Sequence, residues 1–147
     1  MTDLEGHGPD HDAVVAYICE KFAGVDVVTA MGATFFSLDP ETHWPNFATI
    51  VTTDEHDMGA PSNLSARPGV FRLNLGVDKA TFERYVAGDT EPDYAALDAV
   101  LPHPVYAAQR WLSILSPSWR TWNETVIPLL GIAHHRLVAQ RARHAPG

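Results

Sequence analysis

Hydrophobic positions in this chain follow two rhythms, one of helices and one of strands. Val14, Ile18 and Phe22 recur every four residues, with Val15 and Cys19 alongside. Side chains at that spacing share one face of a helix. Asp10 or Asp12 supplies an N-cap, and Gly24 sits where a left-handed stop would end the helix. Cys19, inside this pattern and without an evident base, is expected to be buried and inert. After a short apolar run at 25–29, residues 34–38 (Thr-Phe-Phe-Ser-Leu) and 47–53 (Phe-Ala-Thr-Ile-Val-Thr-Thr) are β-branched and aromatic. They predict two strands of a hairpin, turned near Pro45-Asn46. Residues 70–77 alternate most cleanly. Phe71, Leu73, Leu75 and Val77 face one way, and Arg72 and Asn74 the other. That period of two predicts a strand.

Downstream, Asp78 caps a predicted helix over 79–87 that ends at Gly88 and buries Phe82, Tyr85 and Val86. Thr90 and Asp93 have capping-box spacing and predict a short helical segment through Leu97 and Val100. The Pro102-His103-Pro104 turn stops it. Residues 111–115 (Trp-Leu-Ser-Ile-Leu) read as a last strand. Ser116-Pro117 ends that strand, and Thr121 and Glu124 again have capping-box spacing. Trp122, Val126, Leu130, Ala133 and Leu137 then form the stripe of a long amphipathic helix. Pro128 should kink or interrupt it, because proline lacks the N–H a helix needs. The order helix, strands, helix, strand, helix predicts an α+β fold. Its mainly antiparallel sheet is packed by the N- and C-terminal helices. Residues 1–11 read as a disordered leader and 12–143 as a single domain.

Composition narrows the function classes. The 147 residues are 46% hydrophobic and 19% charged, as in a globular chain. A lone cysteine cannot close an internal disulfide, and the acidic start has no basic, apolar leader pattern. No apolar run nears the ~18 residues of a membrane span. These features point to a cytoplasmic protein with no membrane partner. The net charge of −8 is unevenly spread, since residues 1–98 hold 17 acids and 5 bases. Residues 99–147 hold only Glu124 against Arg110, Arg120, Arg136, Arg141 and Arg143. With a pI near 5.3, nucleic-acid binding is disfavoured. There is no P-loop, no Gly-x-Gly-x-x-Gly and no Gly-x-Ser-x-Gly elbow, so no cofactor is assigned.

Four groups of residues could carry chemistry. Asp54, Glu55, His56 and Asp57 are the densest run of ligand-type side chains, but two ligands on one strand face are too few for a metal site. No metal is assigned. Arg72 and Asn74 share a strand face. They line a pocket if something covers that face, and stand in solvent if nothing does. His103, Tyr106, Gln109, Arg110 and Trp111 combine a proline-fixed imidazole with aromatic walls and polar tips, the mix found in ligand sites. An unperturbed histidine at 103 would act as acid or base near neutral pH. His134 and His135 sit side by side on the last helix, where at most one faces inward.

Several longer strings resemble a known family. Phe-Ala-Thr-Ile-Val-Thr at 47–52, Arg-Pro-Gly-Val-Phe-Arg-Leu-Asn-Leu-Gly-Val at 67–77, Leu-Pro-His-Pro-Val-Tyr-Ala-Ala-Gln-Arg-Trp at 101–111 and Pro-Leu-Leu-Gly-Ile-Ala-His at 128–134 carry the resemblance. They look like the bacterial domain-of-unknown-function family 6194. More distantly, the order of elements resembles the YjbR/MmcQ proteins, with Asn74-Leu75 and Trp111 in matching places. That likeness implies a compact α+β layout. Neither resemblance brings an activity or catalytic residues. The sequence therefore favours a domain that binds a small molecule or a protein through Arg72, Asn74, His103, Tyr106 and Trp111. An enzyme of unrecognised class using a His/carboxylate site is the alternative, and weak nucleic-acid binding comes last. Oligomeric state is not encoded in any visible pattern.

Overall fold

In this computed structural model the chain is described at residues 8–30, 32–53, 64–65, 67–86, 92–104 and 106–144, with 143 and 144 in backbone only. Helix α1 (His11–Lys21) is capped by Asp10, whose carboxylate accepts the Ala13 N–H. Three strands follow: β1 (Asp26–Ala30), β2 (Ala33–Ser37) and β3 (Asn46–Val51). Strand β4 (Arg72–Gly76) leads into α2 (Lys79–Tyr85), capped by Asp78. Strand β5 (Val100–Pro102) is joined to β6 (Trp111–Leu115) through a 3₁₀ turn at Ala107–Gln109. The six strands form one antiparallel sheet in the order β1-β2-β3-β4-β6-β5.

The C-terminal helix is built in three pieces. Ser118 caps α3 (Trp119–Thr121), its hydroxyl accepting the Thr121 N–H, so the cap is Ser118 rather than Thr121. A π-helical turn spans Trp122–Val126, and α4 (Ile127–His144) continues from it. Within that turn the Ile127 N–H bonds to the Trp122 carbonyl, five residues back. Pro128 has no N–H and its ring crowds the carbonyl four residues before it. The wider π turn just upstream takes up that mismatch, so the helix runs on.

Register assigns the two faces of the sheet. On one, Phe36, Ala48, Ile50, Leu73, Leu75, Leu112 and Ile114 form a core with Val14 and Ile18 of α1. Val126, Leu130, Ala133 and Leu137 of the C-terminal helix join it, as do Phe71 and Val77. On the other face, Phe35 stands opposite Thr49, Thr49 opposite Asn74, and Asn74 opposite Ser113. One end of that face is closed by a small cluster of Val51, Leu64 and Leu115. All five residues of β4 are buried, so its polar side is covered as completely as its apolar side.

Two local expectations are corrected, and an open alternative is decided. Leu97 and Val100 belong to no helix: Leu97 makes an isolated bridge to Leu115, and Val100 opens β5. Pairing along the free side of β6 outweighs the weak helical spacing. Cys19 is exposed, because the buried stripe of α1 is as narrow as Val14 and Ile18. Arg72 and Asn74 do not form a wet sheet face, since each is 1% exposed. The expected cluster at 54–57 and the capping residue Thr90 lie outside the described residues.

Candidate functional site

The covered face holds a cavity of about 640 Å³. Its floor is Thr49 of β3 with Arg72, Asn74 and Gly76 of β4. One wall is the β5–β6 connection, which contributes His103, Tyr106 and Gln109 and ends at Trp111. A second wall is Trp44-Pro45, just before β3. At the end of the sheet marked by Asn46, Gly76 and Trp111, the cavity meets α4 at Ala133, Arg136, Leu137 and Gln140. Trp44 is 68% exposed and Tyr106 40%, so two aromatic side chains stand at the mouth.

Floor geometry is fixed by a polar ladder across three strands. The Asn74 amide Nδ2 donates to Thr49 Oγ1 at 3.0 Å. Ser113 donates its hydroxyl to Asn74 Oδ1 at 2.7 Å. These bonds define which way the amide faces and satisfy it in a site without water access from the core side. Beside it, Arg72 is a buried cation, and burial lowers its pKa from 12.5 to about 10. It therefore keeps its charge at neutral pH.

His103 is 4% exposed, and its Nδ1 accepts the Tyr106 backbone N–H at 2.9 Å. An amide can only donate, so Nδ1 carries no proton and the neutral ring is protonated at Nε2. Burial, and then the Arg72 charge, push its pKa down to about 3. His103 thus stays neutral near pH 7, with its proton on Nε2. The expectation of a histidine that titrates near neutrality is overturned, because an imidazolium here would be both desolvated and repelled. Tyr106 packs over the ring with centroids 5.0 Å apart.

Trp111 depends on its partner across the ladder. It pairs with Gly76, and a Cβ at that glycine would come within 2.8 Å of the indole. The missing side chain is what lets the indole lie over β4. Gly76→Ala is expected to push the ring out of place, cost about 1 kcal/mol and shift tryptophan emission. Unchanged emission and an unchanged urea midpoint would refute that packing role.

All five residues proposed from the sequence, Arg72, Asn74, His103, Tyr106 and Trp111, line this one cavity. Arg110 does not. It is exposed, with a left-handed φ of 66°. Sequence reasoning missed Phe35, Trp44, Asn46, Thr49, Arg136 and Gln140. The signal for the last two was present, since both sit three residues after stripe positions Ala133 and Leu137. That places them together on one flank of the helix. His134 stacks on Phe22 at 4.3 Å, while His135 is exposed. Partial burial, then His135, lower the pKa of His134.

A different pair has the look of a poised base. His43 Nδ1 lies 2.6 Å from Asp26 Oδ2, and Ser37 donates to the same carboxylate oxygen at 3.3 Å. However, His43 does not line the cavity and its side chain is 50% exposed, so nothing brings a substrate to it. Among the described residues, no group of three or more histidine, cysteine or acidic side chains could hold a metal ion. No described helix is long and apolar enough to cross a membrane.

Fold and site together define an α+β protein whose antiparallel sheet carries helices on one face and a polar-floored cavity on the other. The chain belongs to DUF6194, a family of unknown function, whose family model matches residues 9–146. No curated protein and no solved structure matches it.

Proposed function

We propose that this protein binds a small organic molecule in the cavity over β4. The observation that carries the reading is the convergence of buried Arg72, Asn74 and His103 with Tyr106 and Trp111 on one space of about 640 Å³. Ligand sites typically measure ~300–1,000 Å³ and combine apolar walls with a few placed polar groups. Here the walls include Phe35, Trp44, Phe47 and Val51.

A binding role fits better than acid–base catalysis. The cavity histidine is held neutral with Nδ1 already occupied. Among the described residues, its lining contains no carboxylate to pair with that histidine. This reading also takes the layout as YjbR-like and the setting as the bacterial cytoplasm, which the single cysteine supports.

A thermal-shift screen of small molecules on the intact chain tests the proposal. A ligand at 100 times its Kd adds about 2.7 kcal/mol to stability. The expected result is a compound that raises the melting temperature of the wild type and loses its effect in Trp111→Leu. A compound that stabilises both proteins equally binds elsewhere and counts against the cavity.

A further inference from the structure

We propose, building on the small-molecule reading above, that the natural ligand is an organic anion with a flat apolar body. Its acidic group meets Arg136 of α4, and its body lies between the aromatic walls over β4. The argument starts from charge. The chain carries 18 acidic side chains against 10 lysines and arginines. Yet the cavity lining holds two guanidinium groups and, among the described residues, no carboxylate. A net-acidic protein has left the Arg136 charge facing this lining with no described acid beside it there, and such a charge attracts anions.

Arg136 is the anchor of this site. It is half-buried on the flank of α4 that also presents Gln140 to the cavity. It makes no hydrogen bond or ion pair to the described residues, whereas Arg120 on the same helical run has Glu124 at 3.4 Å. A guanidinium fork suits the planar or tetrahedral oxygens of a carboxylate, sulfonate or phosphate. Trp111 agrees in sign, for its indole has only an N–H to offer. Phe35, Trp44 and Tyr106 then supply flat surfaces for the remainder of the molecule, two of them open to solvent at the mouth.

Two dyes of nearly the same shape separate this inference from the reading beneath it. 8-Anilinonaphthalene-1-sulfonate carries a sulfonate, and N-phenyl-1-naphthylamine is the same body without it. Both are titrated by fluorescence into the intact chain and into Arg136→Gln, Arg136→Lys and Tyr106→Ala, each checked by its thermal melt. The expected result is that Arg136→Gln weakens the sulfonate dye about tenfold and the neutral dye less than twofold. Arg136→Lys keeps the sulfonate dye within about threefold of wild type, and Tyr106→Ala weakens both. Should Arg136→Gln leave the sulfonate dye untouched, or weaken both dyes alike, the anion site is overturned and the cavity stands. Should neither dye bind the wild type, or Tyr106→Ala affect neither, the cavity reading itself fails and takes the anion site with it.

Discussion

Asn74→Ala is expected to lower the unfolding free energy by about 2–3 kcal/mol, measured as a shift of the urea midpoint at constant slope. Asn74 is 1% exposed and Ser113 2%. Truncation strips the Ser113 hydroxyl of its acceptor and Thr49 Oγ1 of its donor at once. A buried polar group left without a partner costs about 1–3 kcal/mol, far more than the net gain of one ordinary hydrogen bond. Thr49 is half-buried on the cavity floor, where water can replace its lost partner, so most of the penalty falls on Ser113. Ser113→Ala is therefore expected to cost less than Asn74→Ala, and Thr49→Val least of the three. Asn74→Asp keeps an oxygen in place for Ser113, lets the Thr49 hydroxyl turn to donate, and sets a carboxylate on the same strand face as Arg72. It should retain most of the stability that alanine loses. If Asn74→Ala costs under about 0.5 kcal/mol, the ladder does not hold the floor and cavity water does its work instead.

This ladder also marks where sequence reading stops. The alternation at 70–77 is enough to sort Leu73 and Leu75 from Arg72 and Asn74, because side-chain direction in a strand follows from the backbone alone. What covers the polar side does not. Trp44-Pro45, the 103–109 connection and Arg136 reach it from three distant parts of the chain. No local pattern announces such convergence. An alternating strand looks the same whether its polar face meets water or a cavity. His103, Tyr106 and Trp111 were legible because proline, aromatic and polar residues crowd one short connection. Arg136 was hidden because a polar residue beside the apolar stripe of an amphipathic helix is the ordinary solvated pattern.

Misread elements share a cause. Val100 and Leu97 stand three apart, which suits a helix, yet the segment is decided by the free edge of β6, where Val100 pairs with Ile114. Strand formation depends on what lies alongside more than on intrinsic preference. Cys19 follows the same logic in reverse. Its position beside Ile18 is apolar enough for burial, but the sheet covers only a narrow stripe of α1. By contrast, the antiparallel α+β architecture was legible as a whole, since runs of short strands between amphipathic helices admit few other arrangements.

Acid should destabilise this protein through His103 in a window set by its two pKa values. In the unfolded chain the imidazole titrates near 6.5, and in the fold burial and Arg72 hold it down to about 3. Between those values the unfolded state binds a proton that the folded state refuses. Stability from this group is thus complete above about pH 6.5 and is lost as pH falls towards 3, with a slope of up to about 1.4 kcal/mol per pH unit. From pH 6.5 to 4.5 the loss reaches up to about 2 kcal/mol. Asp39 and Asp78 carry pKa values lowered from 3.8 by hydrogen bonds, so their own losses begin below that interval. His134, lowered by partial burial, adds a slope of the same sign. The measurement is therefore a difference between proteins. His103→Asn places an amide oxygen near the position of Nδ1, keeps an acceptor for the Tyr106 N–H and removes the titration. Urea unfolding at half-unit steps of pH should give a flatter profile for this variant between pH 6.5 and 4.5. Parallel profiles for the two proteins would mean that His103 takes up its proton in the folded state as readily as in the unfolded one. The imidazole would then be solvated or paired with a carboxylate, and this side of the cavity would not be as dry as the 4% exposure of His103 implies.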